Sequence, residues 1–223
     1  MRKKAIRDDP LLRFVGIFLP AGTSALLLSI AHFQHKLWFL SLFALVPYLW
    51  KLKRTSLQGS IVLGSTFALC FTFVVFIEGL FTSPALFAIK ALALVLIFSI
   101  FGIAVNRVKK YIGFYPVFIA ALWIPLEYFL IRFAGINGIL NFQSLAPGWL
   151  IRFGSLFGLL TISFIIILIN SAILLLIERA RKIRYSVSRL RFPNIAFIFS
   201  LLENTGYTRK WYYLPNLRAP PHY

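Results

Sequence analysis

The sequence predicts an all-α integral membrane protein: a bundle of about six transmembrane helices, with an interfacial C-terminal helix as an addition. Three observations carry this prediction. The chain is 60% hydrophobic over 223 residues, more apolar surface than a soluble domain of that size can bury. Its apolar residues form continuous runs rather than an alternation, which favours helices over a membrane β-barrel. Its 24 Lys and Arg against 6 Asp and Glu lie mostly between and after those runs, where cations flank a bilayer. A net charge of +18 also suits nucleic acid, but this placement points to membrane orientation, and no nucleic-acid partner is expected.

Taken in order, residues 1–13 form a basic N-terminus and residues 14–177 the helical domain. The predicted spans are 14–31, 37–50, 57–77, 84–105, 115–131 and 153–177. Most approach the roughly 20 residues that a helix needs to cross about 30 Å of hydrocarbon. Lipid offers backbone groups no hydrogen-bond partner, so such spans are helical. The first lacks a small-residue cleavage site and is followed directly by "HFQHK", so it reads as a span rather than a signal peptide. The second is short and bounded by Trp38 and Trp50, whose rings suit the interface; Pro47 predicts a kink or an early stop there. The third holds Cys70, the single cysteine, which excludes an intrachain disulfide and reads as a small side chain in a helix.

Residues 178–223 read as a basic, aromatic tail. Its first part, "ERARKIRYSVSRLR", is a topological anchor or a docking site for acidic lipid or a partner. "FPNIAFIFSLL", 192–202, is about half a span and reads as interfacial or re-entrant. "RKWYYLPNLRAPPHY" reads as an extended segment.

The connections set the orientation. There are five Lys and Arg before the first span, three in 51–56, three in 106–114 and nine after 177, 20 in all. The intervening loops 32–36, 78–83 and 132–152 hold 3. The positive-inside rule then places both termini in the cytoplasm.

Within "WIPLEYFLIR", 123–132, Glu127 is a carboxylate in an apolar run. An ionisable group at membrane depth is a candidate for function. Trp123 stands four residues earlier on the same helical face, so its indole would border the acid; Arg132 would instead fold back onto Glu127 from the helix end. A purely structural acid is the alternative. Glu78, near the outward end of the third span, is a second candidate intramembrane acid. The following loop, "FAGINGILNFQSLAPGWLIRFGSLFG", is rich in Gly, Asn and Gln and is either a connector or a headgroup site, with Asn137, Asn141, Gln143 and Ser144 as polar groups. His32 and His35 have no carboxylate or cysteine beside them to complete a metal site. There is no phosphate loop, G-x-S-x-G or H-E-x-x-H, so neither cofactor nor metal is expected.

Three segments together carry a resemblance: "HFQHKLWFLSLFALVPYLWKLKRTSLQGSIVLGSTFALCFTF", "ALWIPLEYFLIR" and "GSLFGLLTISFIIILINSAILL". Over about residues 15 to 178 the chain resembles the membrane domain of apolipoprotein N-acyltransferase, which adds the third acyl chain to bacterial lipoproteins. The resemblance implies helices that cradle a phospholipid donor and a bacterial cytoplasmic (inner) membrane location. It also implies an outward nitrilase-like domain whose Glu–Lys–Cys triad forms an acyl-thioester. Only 45 residues follow residue 178, and Cys70 matches no triad position, so no catalytic residue carries over. Glu127 matches the acid of the family's "LW…E" helix, and Phe142 with Gln143 falls where the family's loop approaches lipid. The family's aromatic "GFPW" turn is replaced here by "GINGILNFQ".

The expected lipid-binding residues are thus Trp123, Glu127, Arg132, Asn141, Phe142 and Gln143. The leading reading is a catalytically incomplete N-acyltransferase-like membrane protein. It would bind membrane phospholipid or serve as membrane subunit for a separate partner. The resemblance supplies a precedent in membrane halves joined to, or paired with, polyprenyl-phosphate glycosyltransferase domains. The alternative is a structural subunit of a large bioenergetic or photosynthetic complex.

Overall fold

The computed structural model describes residues 10–133, 152, 158 and 160–204, and every regular element among them is helical. Helix α1 spans Pro10–Phe33 and is followed by a 3-10 stretch, His35–Leu40. The short helices α2 (Ser41–Ala44) and α3 (Val46–Arg54) come next, then α4 (Leu57–Val75) and α5 (Ile77–Thr82). The long helix α6 covers Pro84–Tyr111, α7 covers Pro116–Phe133, and α8 covers Leu160–Asn204. The chain divides into two units, Met1–Leu175 and Leu176–Tyr223.

Four helical stretches among the described residues are long and apolar enough to cross a membrane: Val15–Phe33, Leu57–Val75, Pro84–Tyr111 and Leu160–Lys182. Less than half of each is buried within the protein. The remainder includes Leu19, Leu26, Leu69, Phe73, Leu92 and Leu96, all exposed, as lipid-facing positions should be. The protein is an all-α membrane protein.

Local chemistry explains the boundaries. Ser56 precedes α4, and its hydroxyl accepts the Gly59 amide at 3.4 Å, an N-cap arrangement. Pro84 occupies the first turn of α6, where its missing N–H costs nothing. Between α6 and α7 the chain turns at Gly113, whose φ of 96° suits a residue without Cβ.

The core forms around the pairing of α4 with α6, the most extensive helix contact, with α1 packed against α4. Gly64 and Gly102 permit this closeness. A Cβ on Gly64 would lie 2.5 Å from the Phe98 carbonyl oxygen, and one on Gly102 would lie 2.8 Å from that of Ser60. Such small-residue contacts let membrane helices approach closely, where polar side chains can join them. Here Ser65 Oγ and Ser99 Oγ are 3.1 Å apart.

The expected second span is not one helix. The 37–50 segment is divided among the 3-10 stretch, α2 and α3, with the break at Leu45. Pro47 supplies part of the reason, since it cannot donate to the carbonyl four residues earlier. Buried side chains from two other helices supply the rest. Asn170 of α8 accepts the Leu45 amide at 2.9 Å through Oδ1 and donates to the Ser41 carbonyl at 2.8 Å through Nδ2. These two backbone groups are the pair that a continuous helix joins directly. Ser24 of α1 accepts the Tyr48 amide at 2.9 Å.

Two other boundaries differ from expectation. The third span ends at Val75, with the backbone turning at Phe76 into α5. The last span starts at Leu160 and continues without interruption to Asn204, so the segment 192–202 lies within α8. Arg and Lys are good helix formers, and a basic run alone does not end a helix.

Candidate functional site

The polar centre of the first unit is carried by α7. Helical geometry sets Trp123 and Glu127 one turn apart on one face, and that face points inward. Trp123 is 1% and Glu127 0% exposed. The indole Nε1–H donates to Glu127 Oε2 at 2.9 Å. Of the expected site, these two residues are brought together.

Packing holds the indole in place. Its ring lies 5.1 Å from that of Phe98 and 5.2 Å from that of Phe101, the latter edge-on at 88°. Phe98 meets Phe67 at 4.5 Å, and Phe67 meets Tyr48 at 5.1 Å. An aromatic chain therefore runs from α3 through α4 and α6 to α7. Pairs of this kind contribute roughly 0.5–1.5 kcal/mol each beyond area burial. A tryptophan fixed on two sides presents its N–H at a set point, and Glu127 is positioned by it.

Chemically, a buried carboxyl with one oxygen held is a hydrogen-bonding and orienting group. A carboxyl taken out of water is costly, and among the described residues Glu127 is the buried acid, set beside aromatic rings. Cys70 is free and half-buried on α4.

The other candidates fall elsewhere. Arg132 is exposed on the last turn of α7, in contrast to the buried Glu127. Asn141, Phe142 and Gln143 lie outside the described residues, as do Asn137 and Ser144. Glu78 is exposed on α5 and lines a cleft of about 310 Å³ with Phe76, Thr82, Ser83 and Lys90. Lys90 Nζ lies over the Phe76 ring, 4.8 Å from its centroid.

Sequence reasoning missed two polar clusters. Asn170 is fully buried and satisfied by Leu45, Ser41 and the Ile166 carbonyl; an amide inside an apolar run was its signal. At the other cluster, Lys109 Nζ donates to the carbonyls of Leu52, Lys53 and Thr55 at 3.1, 3.2 and 2.7 Å. Asn106 Nδ2 donates to Thr55 O at 2.9 Å and Ser60 Oγ at 2.7 Å. Basic residues near the end of a helix gave no hint of this latch in the sequence.

A family model described as the apolipoprotein N-acyltransferase N-terminal domain matches residues 24–172 of the 223. The match begins in α1 at Ser24, ends in α8 just past Asn170, and encloses the Trp123–Glu127 pair. Neither the curated proteins nor the solved structures contain a match to the chain.

Proposed function

The chain belongs to the apolipoprotein N-acyltransferase N-terminal domain family, and from that premise we propose that its bundle is a lipid-binding membrane module that serves a separate soluble partner. The buried Trp123–Glu127 hydrogen bond is the observation that carries this reading. A hydrophobic core alone would favour an apolar residue at position 127, whereas a lipid headgroup or glycerol backbone needs a polar point among apolar walls.

Depth supports the same reading. Along α7, Glu127 lies about 16 Å from Pro116 at 1.5 Å per residue. The Pro116 end follows the basic turn of α6, and Lys109 draws that turn against the basic end of α3. Two of the segments that the positive-inside rule assigns to the cytoplasm thus share one end. In the proposed orientation both termini are cytoplasmic, and Glu127 stands in the outward half of a bilayer of about 30 Å. The cleft holding Glu78 and Lys90 lies toward the opposite end of α6 from Lys109, on the same outward side.

The test is native mass spectrometry of the protein gently extracted from its own membranes, with wild type compared with Glu127→Ala. The expected result is retained phospholipid and a partner bearing a soluble transferase domain, with the variant still membrane-inserted but depleted of lipid. Identical lipid and partner content in both proteins would refute a role for the acid. Recovery only within a cofactor-bearing assembly would make the chain a structural subunit instead.

A further inference from the structure

The latch at Lys109 has a second effect, on charge. Its three ammonium donors are all used by carbonyls at the C-terminal end of α3, where the helix dipole favours a cation. The contact draws the end of α6, with Lys109 and Lys110 in its last turn and Arg107 just before it, against the last turn of α3, with Lys51, Lys53 and Arg54. Six cations therefore share one end of the first unit. Arg54, Arg107 and Lys110 are exposed.

The surroundings indicate which anion this end meets. Lys53 Nζ lies 5.1 Å from the Phe114 ring centroid, and Arg54 Cζ lies 4.4 Å from that of Trp50. Tyr111 and Tyr115, on either side of Phe114 in sequence, are exposed, as aromatic rings at headgroup level are. Immediately along the chain, Ile112, Val117 and Phe118 are also exposed, offering an apolar wall to acyl chains. An acidic protein segment would use the cations but not that wall. We propose that this corner, formed by the ends of α3 and α6 and the start of α7, retains an anionic phospholipid. Its phosphate would sit among Arg54, Arg107 and Lys110, and its acyl chains along Val117 and Phe118. The site is distinct from Trp123–Glu127 and does not depend on the function of that pair.

The experiment uses the full chain in nanodiscs of mixed phosphatidylcholine and phosphatidylglycerol, with retained lipid identified by native mass spectrometry. Each cation near an anionic headgroup contributes about fivefold to affinity, so the triple variant Arg54→Gln/Arg107→Gln/Lys110→Gln should lose about a hundredfold. A matched control, Arg179→Gln/Arg181→Gln/Lys182→Gln, removes the same charge from exposed positions of α8 and should retain wild-type preference. If the triple variant does not fold, Lys110→Gln alone should lose about fivefold, and added salt should weaken wild-type retention. Equal loss in the control would reduce the effect to bulk charge and overturn the proposal. So would wild-type protein that holds phosphatidylglycerol no better than phosphatidylcholine, and that outcome would reassign the corner to an acidic protein partner.

Discussion

Trp123 donates its indole N–H to Glu127 Oε2 at 2.9 Å, and both side chains are shielded from solvent. The bond lies within a single helix, so it does not itself join helices. Its effect is to fix the rotamer of the carboxyl through an indole that Phe98 and Phe101 hold in place.

A double-mutant cycle with Trp123→Phe and Glu127→Gln measures this coupling. Each single change should destabilise the protein, and the coupling should be about 1 kcal/mol. Reversible unfolding in detergent micelles gives the four values. Strict additivity would mean that the pair are neighbours without a shared bond worth counting.

Among the described glycines, Gly64 is the one whose added Cβ would come closest to backbone. Gly64→Ala places a methyl 2.5 Å from a backbone oxygen of Phe98, which cannot rotate away. The expected cost is about 1–3 kcal/mol from overpacking. Gly22→Ala, whose added methyl would meet the Phe18 ring only at 4.0 Å, should be neutral or slightly stabilising. Thermal unfolding of the two variants should therefore differ in sign or nearly so.

Asn170→Leu removes the group that satisfies Leu45 N–H and Ser41 C=O inside the bundle. We expect a loss of about 1–3 kcal/mol, the range for leaving buried polar groups unmatched. Asn170→Asp keeps the acceptor for Leu45 but loses the donor to Ser41. Its cost should therefore include a buried carboxyl as well. If Asn170→Leu proved as stable as wild type, the break at Leu45 would have to be maintained by Pro47 and Ser24.

Lys109→Met keeps the aliphatic stem and removes three charge-assisted bonds to the end of α3. Hydrogen exchange should accelerate at the amides of residues 52–56, while those of α4 beyond Ser60 stay protected. Global stability should fall by about 1–2 kcal/mol. Unchanged exchange at 52–56 would show that Asn106 holds the turn unaided.

The parts of the fold that depend on local sequence were legible. Continuous apolar runs locate α1, α4 and α7 within four residues and the start of α6, which runs six residues past its expected end, and the spacing of Trp123 and Glu127 places them on one helical face. Pro47 signalled trouble in the second span but not its cause, because Asn170 lies 125 residues from Leu45. The turn into α5 at Phe76 has no Gly or Pro to mark it. The continuation of α8 to Asn204 is not legible because the basic run after 177 marks the end of a membrane span, not the end of a helix, which Arg and Lys sustain. The Lys109 latch joins two turns that lie more than 50 residues apart, so nothing local in either marks it.

The amide of Asn170 also imposes an order on biogenesis. Chains emerge from the ribosome N-terminus first, so residues 41–48 reach the membrane long before their partner on α8. Until Asn170 arrives, the Leu45 N–H and Ser41 C=O lack that side chain, and an unsatisfied backbone group in hydrocarbon costs several kcal/mol. The second apolar segment in the chain is thus expected to wait at the wet boundary or beside the insertion machinery. It would become fully embedded among the last, when the final helix of the bundle closes over it.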